Sequence, residues 1–141
     1  MNVVPQAGSG ARRALCAGAV LMALATIIGA LAAHVLRERL AAARYEVLQT
    51  AVSYQFIQAL GLLLLGALAR QGASRLLRLA ADLLLAGVLL FSGSLYLLLA
   101  GAPRAIGALT PLGGLCLIAG WLLAAVALWR RPVPGPAPGP E

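Results

Sequence analysis

Residues 83–103 read LLLAGVLLFSGSLYLLLAGAP, a run without a formal charge, preceded by Asp82 and closed by a proline. A bilayer core of about 30 Å needs about 20 residues of helix at 1.5 Å each, so this run is long enough to cross. Helix is the required form, because an isolated apolar strand would leave its backbone groups unpaired in lipid. Working outward, three more uncharged runs appear: 14–36 with His34 neutral, 47–69 and 105–129. The charges thus predict four transmembrane helices, over about 14–36, 47–69, 79–101 and 105–129. The connections are too short to fold separately and force sequential neighbours to run antiparallel. The expectation is an all-α integral membrane protein whose 14–129 domain is an antiparallel four-helix bundle. Residues 1–13 are expected as a flexible cytoplasmic segment. Residues 130–141, which carry five of the eight prolines, are expected as a disordered cytoplasmic tail of extended, polyproline-like character.

Composition agrees. The 141 residues are 62% hydrophobic and 11% charged, where an ordinary soluble domain has roughly half and a quarter. So small a soluble protein cannot hide that much apolar surface, which excludes a cytosolic enzyme, a disordered chain and a secreted disulfide scaffold. The net charge of +7 comes from arginine alone against four acids. Arg12, Arg13, Arg70, Arg75, Arg78, Arg130 and Arg131 fall on one side of the membrane, and Arg37, Arg39, Arg44 and Arg104 on the other. The positive-inside rule then places both termini in the cytoplasm. The basic balance reads as membrane flanks meeting anionic lipid head groups, with no nucleic-acid surface expected. Ala30-Leu31-Ala32 fits a small-x-small cleavage pattern, but the preceding run exceeds a usual signal-peptide core, so the first helix is expected to stay.

Polar groups within a span are the best functional hints in such a chain. On helix two, Thr50, Tyr54 and Gln58 are spaced i, i+4, i+8, and Gln55 reaches Gln58 at i+3, so one side should face protein. Ser92, Ser94 and Tyr96 on helix three, Thr110 on helix four and His34 at the end of helix one fall in the same leaflet, opposite the termini. These residues form a candidate polar cluster joining all four helices. Small residues suit close helix approach: Ala25, Gly29 and Ala33 as a seam on helix one, with Gly93, Gly113 and Gly114 on the later helices. Pro111 is expected to free a carbonyl that needs a partner. Asp82 is expected at the interface beside Arg75 or Arg78. Cys16 and Cys116 lie at different depths and read as small core residues.

No phosphate-binding loop, dinucleotide fingerprint, metalloprotease helix or nucleophile–base pair is present. One histidine builds no metal or haem site unaided. Neither a catalytic residue nor a metal ligand nor a cofactor is expected, and an enzyme is not expected.

Phe91-Ser-Gly-Ser-Leu-Tyr96, Thr110-Pro-Leu-Gly-Gly114 continuing to Ala119-Gly-Trp121, Gly29-Ala-Leu-Ala-Ala-His34 and Thr50 to Gln55 stand in a fixed order. By these motifs the chain resembles the YgdD-like family, domain of unknown function 423. These are small bacterial inner-membrane proteins related to eukaryotic mitochondrial small transmembrane proteins. The resemblance runs from about residue 14 to 129 and implies a multi-pass bacterial plasma-membrane protein. Two departures stand out: Gln58 where the family usually has His, and Ala32 where it has Gly. Gln can supply hydrogen bonds but neither metal ligation nor proton transfer, so the resemblance implies a hydrogen-bonding role. The leading functional expectation is a non-enzymatic accessory subunit or assembly factor with a membrane-protein partner or a second copy. A small oligomeric transporter or channel and an interfacial lipid-binding protein are the alternatives.

Overall fold

The structure is a computed structural model and describes residues 8–72 and 74–130. Four long helices carry the chain: α1 (Ser9–Leu31), α2 (Ala42–Arg70), α3 (Arg75–Leu99) and α4 (Leu109–Trp129). All four are long and apolar enough to cross a membrane. Residues 9–13, expected as part of a flexible segment, are the first turn of α1. Residues 1–7 and 131–141, the greater part of both expected tails, lie outside the described residues. Likewise α2 begins at Ala42, before the uncharged run, because Arg44 and Glu46 sit in its opening turns beyond the apolar stretch.

Each helix end has a local cause. Ser74 caps α3 by accepting the Leu77 N–H at 3.1 Å. At its far end α3 closes with Ala102 N–H on Leu97 O (2.9 Å) and Gly101 N–H on Leu98 O (3.1 Å). Gly101 takes φ +95° there, a conformation that favours glycine, and Pro103 bars continuation. Arg44 at the start of α2 donates to Leu99 O at 2.5 Å, satisfying another end carbonyl of α3. α1 widens into one π turn over Ala32–Leu36, where Arg37 N–H bonds Ala32 O at 3.1 Å. A 3₁₀ turn over Arg104–Ala108 leads into α4, which places Pro111 in the first turn of that helix. A missing N–H is tolerated there, so the carbonyl partner expected for Pro111 is not needed.

Sequential helices pack antiparallel, α1 on α2, α2 on α3 and α3 on α4. α2 is the most deeply buried of the four. Between α1 and α2 the approach is closest at two glycines. A Cβ on Gly18 would lie 2.9 Å from Ala59 O, and one on Gly66 would lie 3.1 Å from Leu15 N. Between α3 and α4, a Cβ on Gly113 would lie 2.5 Å from Phe91 N and one on Gly87 3.0 Å from Leu117 N. Such small residues let backbones meet, which is how apolar helices associate where lipid offers no hydrophobic drive. The buried positions of α1 follow a heptad, Ala11, Gly18, Ala25 and Ala32 with Ala14 and Leu21 between. The buried positions of α4, Gly113, Leu117, Gly120, Ala124 and Ala127, follow the same spacing.

That register revises the expected packing set. Ala25 is fully buried and Gly113 is in the tightest backbone contact, whereas Gly29 only reaches ordinary contact with Val52. Ala33 faces outward, because the π turn hands the inward position to Ala32. A side chain on Gly93 would meet nothing within 4 Å, and one on Gly114 only Phe91 Cδ2 at 3.9 Å. Those three positions are not close-approach sites. Gly18, Gly61, Gly66, Gly87 and Gly120 take that role.

Candidate functional site

Side-chain hydrogen bonds between helices concentrate on α2. Gln55, almost wholly buried, donates through Nε2 to Leu21 O of α1 at 2.8 Å. Its Oε1 accepts from the Tyr96 hydroxyl of α3, also at 2.8 Å. Ser92 donates to Ala51 O at 2.9 Å, joining α3 to α2. Ser94 and Thr110 share a hydrogen bond of 2.7 Å between α3 and α4. Trp121 Nε1 donates to Gln58 Oε1 at 2.9 Å and ties α4 to α2. The indole is a donor only, which fixes Oε1 as the Gln58 atom facing it.

These bonds connect all four helices. Of the nine candidate polar residues, Gln55, Gln58, Ser92, Ser94, Tyr96 and Thr110 take part. Thr50 does not: its hydroxyl bonds Glu46 O of its own helix at 3.0 Å. Tyr54 stacks on Phe91 with ring centroids 4.5 Å apart and is 42% exposed. His34 sits in the π turn and is exposed, apart from the network. Trp121 is the member that the sequence reading missed. Its indole N–H at the depth of Gln58 was the available signal, since an indole N–H within the apolar core of a membrane seeks an acceptor.

The stripe Thr50–Tyr54–Gln58 therefore lines an opening. α2 and α4 touch through Trp121, against Gln58 and Gly61, and leave a space elsewhere. The space between them is a groove in two parts with Phe91 of α3 in the wall of both. One part, 440 Å³, has Tyr54, Gln58, Gly114 and Trp121 in its walls. The other, 310 Å³, is bounded by Glu46, Thr50 and Thr110. On the opposite flank, Gln55, Ser92, Gly93 and Tyr96 border a smaller space of 170 Å³ beside α1.

At the end that carries the start of α1, Arg13 bonds Asp82 in an ion pair whose side chains are both substantially exposed. Asp82 thus pairs across to α1 and not with Arg75 or Arg78 of its own helix. Cys16 is exposed and Cys116 half-buried, both free, so Cys16 is not the core residue expected. Among the described residues no group of three His, Cys, Asp or Glu side chains could hold a metal.

A four-helix bundle of spanning length, with its interhelical hydrogen bonds inside the apolar region, defines a multi-pass integral membrane protein. The profile of a family described as a protein of unknown function (DUF423) matches residues 28–114. A UPF0382 membrane protein of Staphylococcus haemolyticus is 38% identical over 113 residues, 80% of this chain and 92% of that protein. UPF0382 membrane protein YwdK of Bacillus subtilis is 38% identical over 111 residues, 78% and 90% of the two chains. UPF0382 inner membrane protein YgdD of Escherichia coli K12 is 35% identical over 109 residues, 75% and 83% of the two chains. The chain belongs to this DUF423, YgdD-like family and is a multi-pass protein of the bacterial inner membrane. No solved structure matches it.

Proposed function

We propose that this chain is a non-enzymatic accessory or scaffold subunit, held to a partner membrane protein through the outward polar face of α2. The observation that carries the reading is the exposure of Ser53 and Tyr54 on the membrane-facing side of a spanning helix. Among the described residues neither hydroxyl has a hydrogen-bond partner. Tyr54 lies four residues from Gln58, the middle of the uncharged run 47–69, or about 6 Å along the helix. Lipid offers no acceptor at that depth, so such groups ordinarily face protein. A partner helix laid along α2 would supply the missing bonds, in the way polar side chains link membrane helices. The short connections between the helices support an adaptor. The arginine asymmetry supports termini on the cytoplasmic side.

The test is extraction from native membranes into polymer nanodiscs, followed by mass measurement of wild type, Ser53→Leu and Thr50→Val. Wild type should carry a second protein in fixed ratio, and Ser53→Leu should release it. A particle containing this chain and lipid alone, at equal mass in all three, would refute the reading. A particle with only further copies of this chain would replace it with a homo-oligomer.

A further inference from the structure

We infer that the 440 Å³ groove between α2 and α4 binds a planar, carbonyl-bearing apolar molecule, of the chemical class of lipid quinones, with a carbonyl oxygen on the amide nitrogen of Gln58. Gln58 is 4% exposed, and its Oε1 is committed to the Trp121 indole. Among the described residues its Nε2 has no partner and no buried side-chain nitrogen or oxygen is left unbonded. The free amide N–H groups therefore open onto the groove that Gln58 lines. A primary amide nitrogen donates and does not accept, so the ligand must bring an acceptor oxygen. The hydroxyl of Tyr54, unpartnered in the same wall, offers a second donor.

Shape narrows the class. Tyr54, Phe91 and Trp121 bring three aromatic side chains to one groove, and planar ring systems pack on such surfaces. Gly114 leaves one wall open, since a side chain there would meet only Phe91 Cδ2 at 3.9 Å. The volume lies within the roughly 300–1,000 Å³ typical of small-ligand sites. Depth decides between sources of a carbonyl. Gln58 is central in its span, about 15 Å from either edge of a 30 Å core, and glycerolipid esters stay at those edges. A quinone ring on an apolar tail enters the core. Leu117, Ile118 and Leu122, apolar side chains of the same groove, give that tail a continuing path. The inference goes beyond the proposed docking, with which it shares only the Tyr54 hydroxyl; Gly114→Leu on α4 tests the groove alone and Ser53→Leu the docking alone.

The test uses the full chain in nanodiscs with Trp129→Phe, which leaves Trp121 as the sole tryptophan. A decyl-tailed benzoquinone is titrated while Trp121 fluorescence is followed. Saturable quenching is expected, with its midpoint raised at least tenfold by Gln58→Leu and by Gly114→Leu, which fills the groove without touching the network. Tyr54→Phe, which keeps the ring, should raise it less. Quenching that rises linearly with quinone in the bilayer and is unchanged by Gly114→Leu would overturn the inference. So would displacement of the quinone by methyl oleate at equal concentration, which would make the occupant an acyl lipid. Should Gln58→Leu fail to fold, the Gly114→Leu and Tyr54→Phe titrations decide alone.

Discussion

Gly113 and Gly114 are neighbours in one helix, and alanine at each should behave in opposite ways. A Cβ on Gly113 would fall 2.5 Å from Phe91 N and 2.9 Å from both Gly87 O and Phe91 Cα, where ordinary contact begins at 3.4 Å. All three are backbone atoms and cannot rotate aside, so α4 must retreat from α3 by roughly 1 Å, which forfeits a quarter to a half of each dispersion contact it stretches. Gly114→Ala meets nothing closer than 3.9 Å. Both substitutions gain the same helix propensity, about 1 kcal/mol, so the difference between them isolates the steric part. That difference should be about 1–3 kcal/mol, the usual penalty for overpacking a close-packed interior. Unfolding by sodium dodecyl sulfate from mild detergent micelles, followed by circular dichroism, reads it directly. Gly114→Ala should match or exceed wild type while Gly113→Ala unfolds earlier. Equal midpoints for the two variants would refute the backbone-contact account of the α3–α4 seam.

Other expectations concern separate parts of the molecule. Gln55→Leu removes the bonds to Leu21 O and Tyr96, and at about 0.6 kcal/mol per interhelical bond should lower stability by about 1 kcal/mol in the same unfolding assay. Gln49→Leu, whose amide bonds Tyr45 of its own helix, should lower it less. Arg13→Ala should change stability by less than about 1 kcal/mol, because its ion pair with Asp82 is exposed; a larger loss would mean the pair is sealed from water. A fluorescent-protein reporter fused after Glu141 should fold and emit, with alkaline phosphatase at the same point inactive, if the topology proposed from the arginine asymmetry holds. The reverse pattern would invert the topology.

The four spans were legible because charge, not periodicity, marks the edge of a membrane. Arg37, Glu46, Arg70, Arg78 and Arg104 bracket apolar runs that no soluble fold would leave so long. Which face of each helix turns inward was legible only in part. Lipid is as apolar as leucine, so a spanning helix can be apolar all round and carry little directional signal. Polar residues restore some direction, and Gln55 with Gln58 did point inward. Thr50 and Tyr54 sit on the same stripe yet face the groove, because Thr can bond its own preceding turn and a space separates α2 from α4 there. The glycine seams needed the register as well. Gly87 and Gly93 differ by less than two turns in the same helix, but only Gly87 meets α4. The π turn that moves Ala33 outward and Ala32 inward has no marker in an alanine-rich sequence.

The outward polar face of α2 is proposed to lie against another protein, and position-specific photo-crosslinking in living cells tests this most directly. A diazirine side chain at Ser53 should give one protein adduct of discrete mass. The same side chain at Val20, on the outer face of α1 and 59% exposed, should give lipid adducts alone. Lipid adducts of equal yield at both positions would contradict the claim.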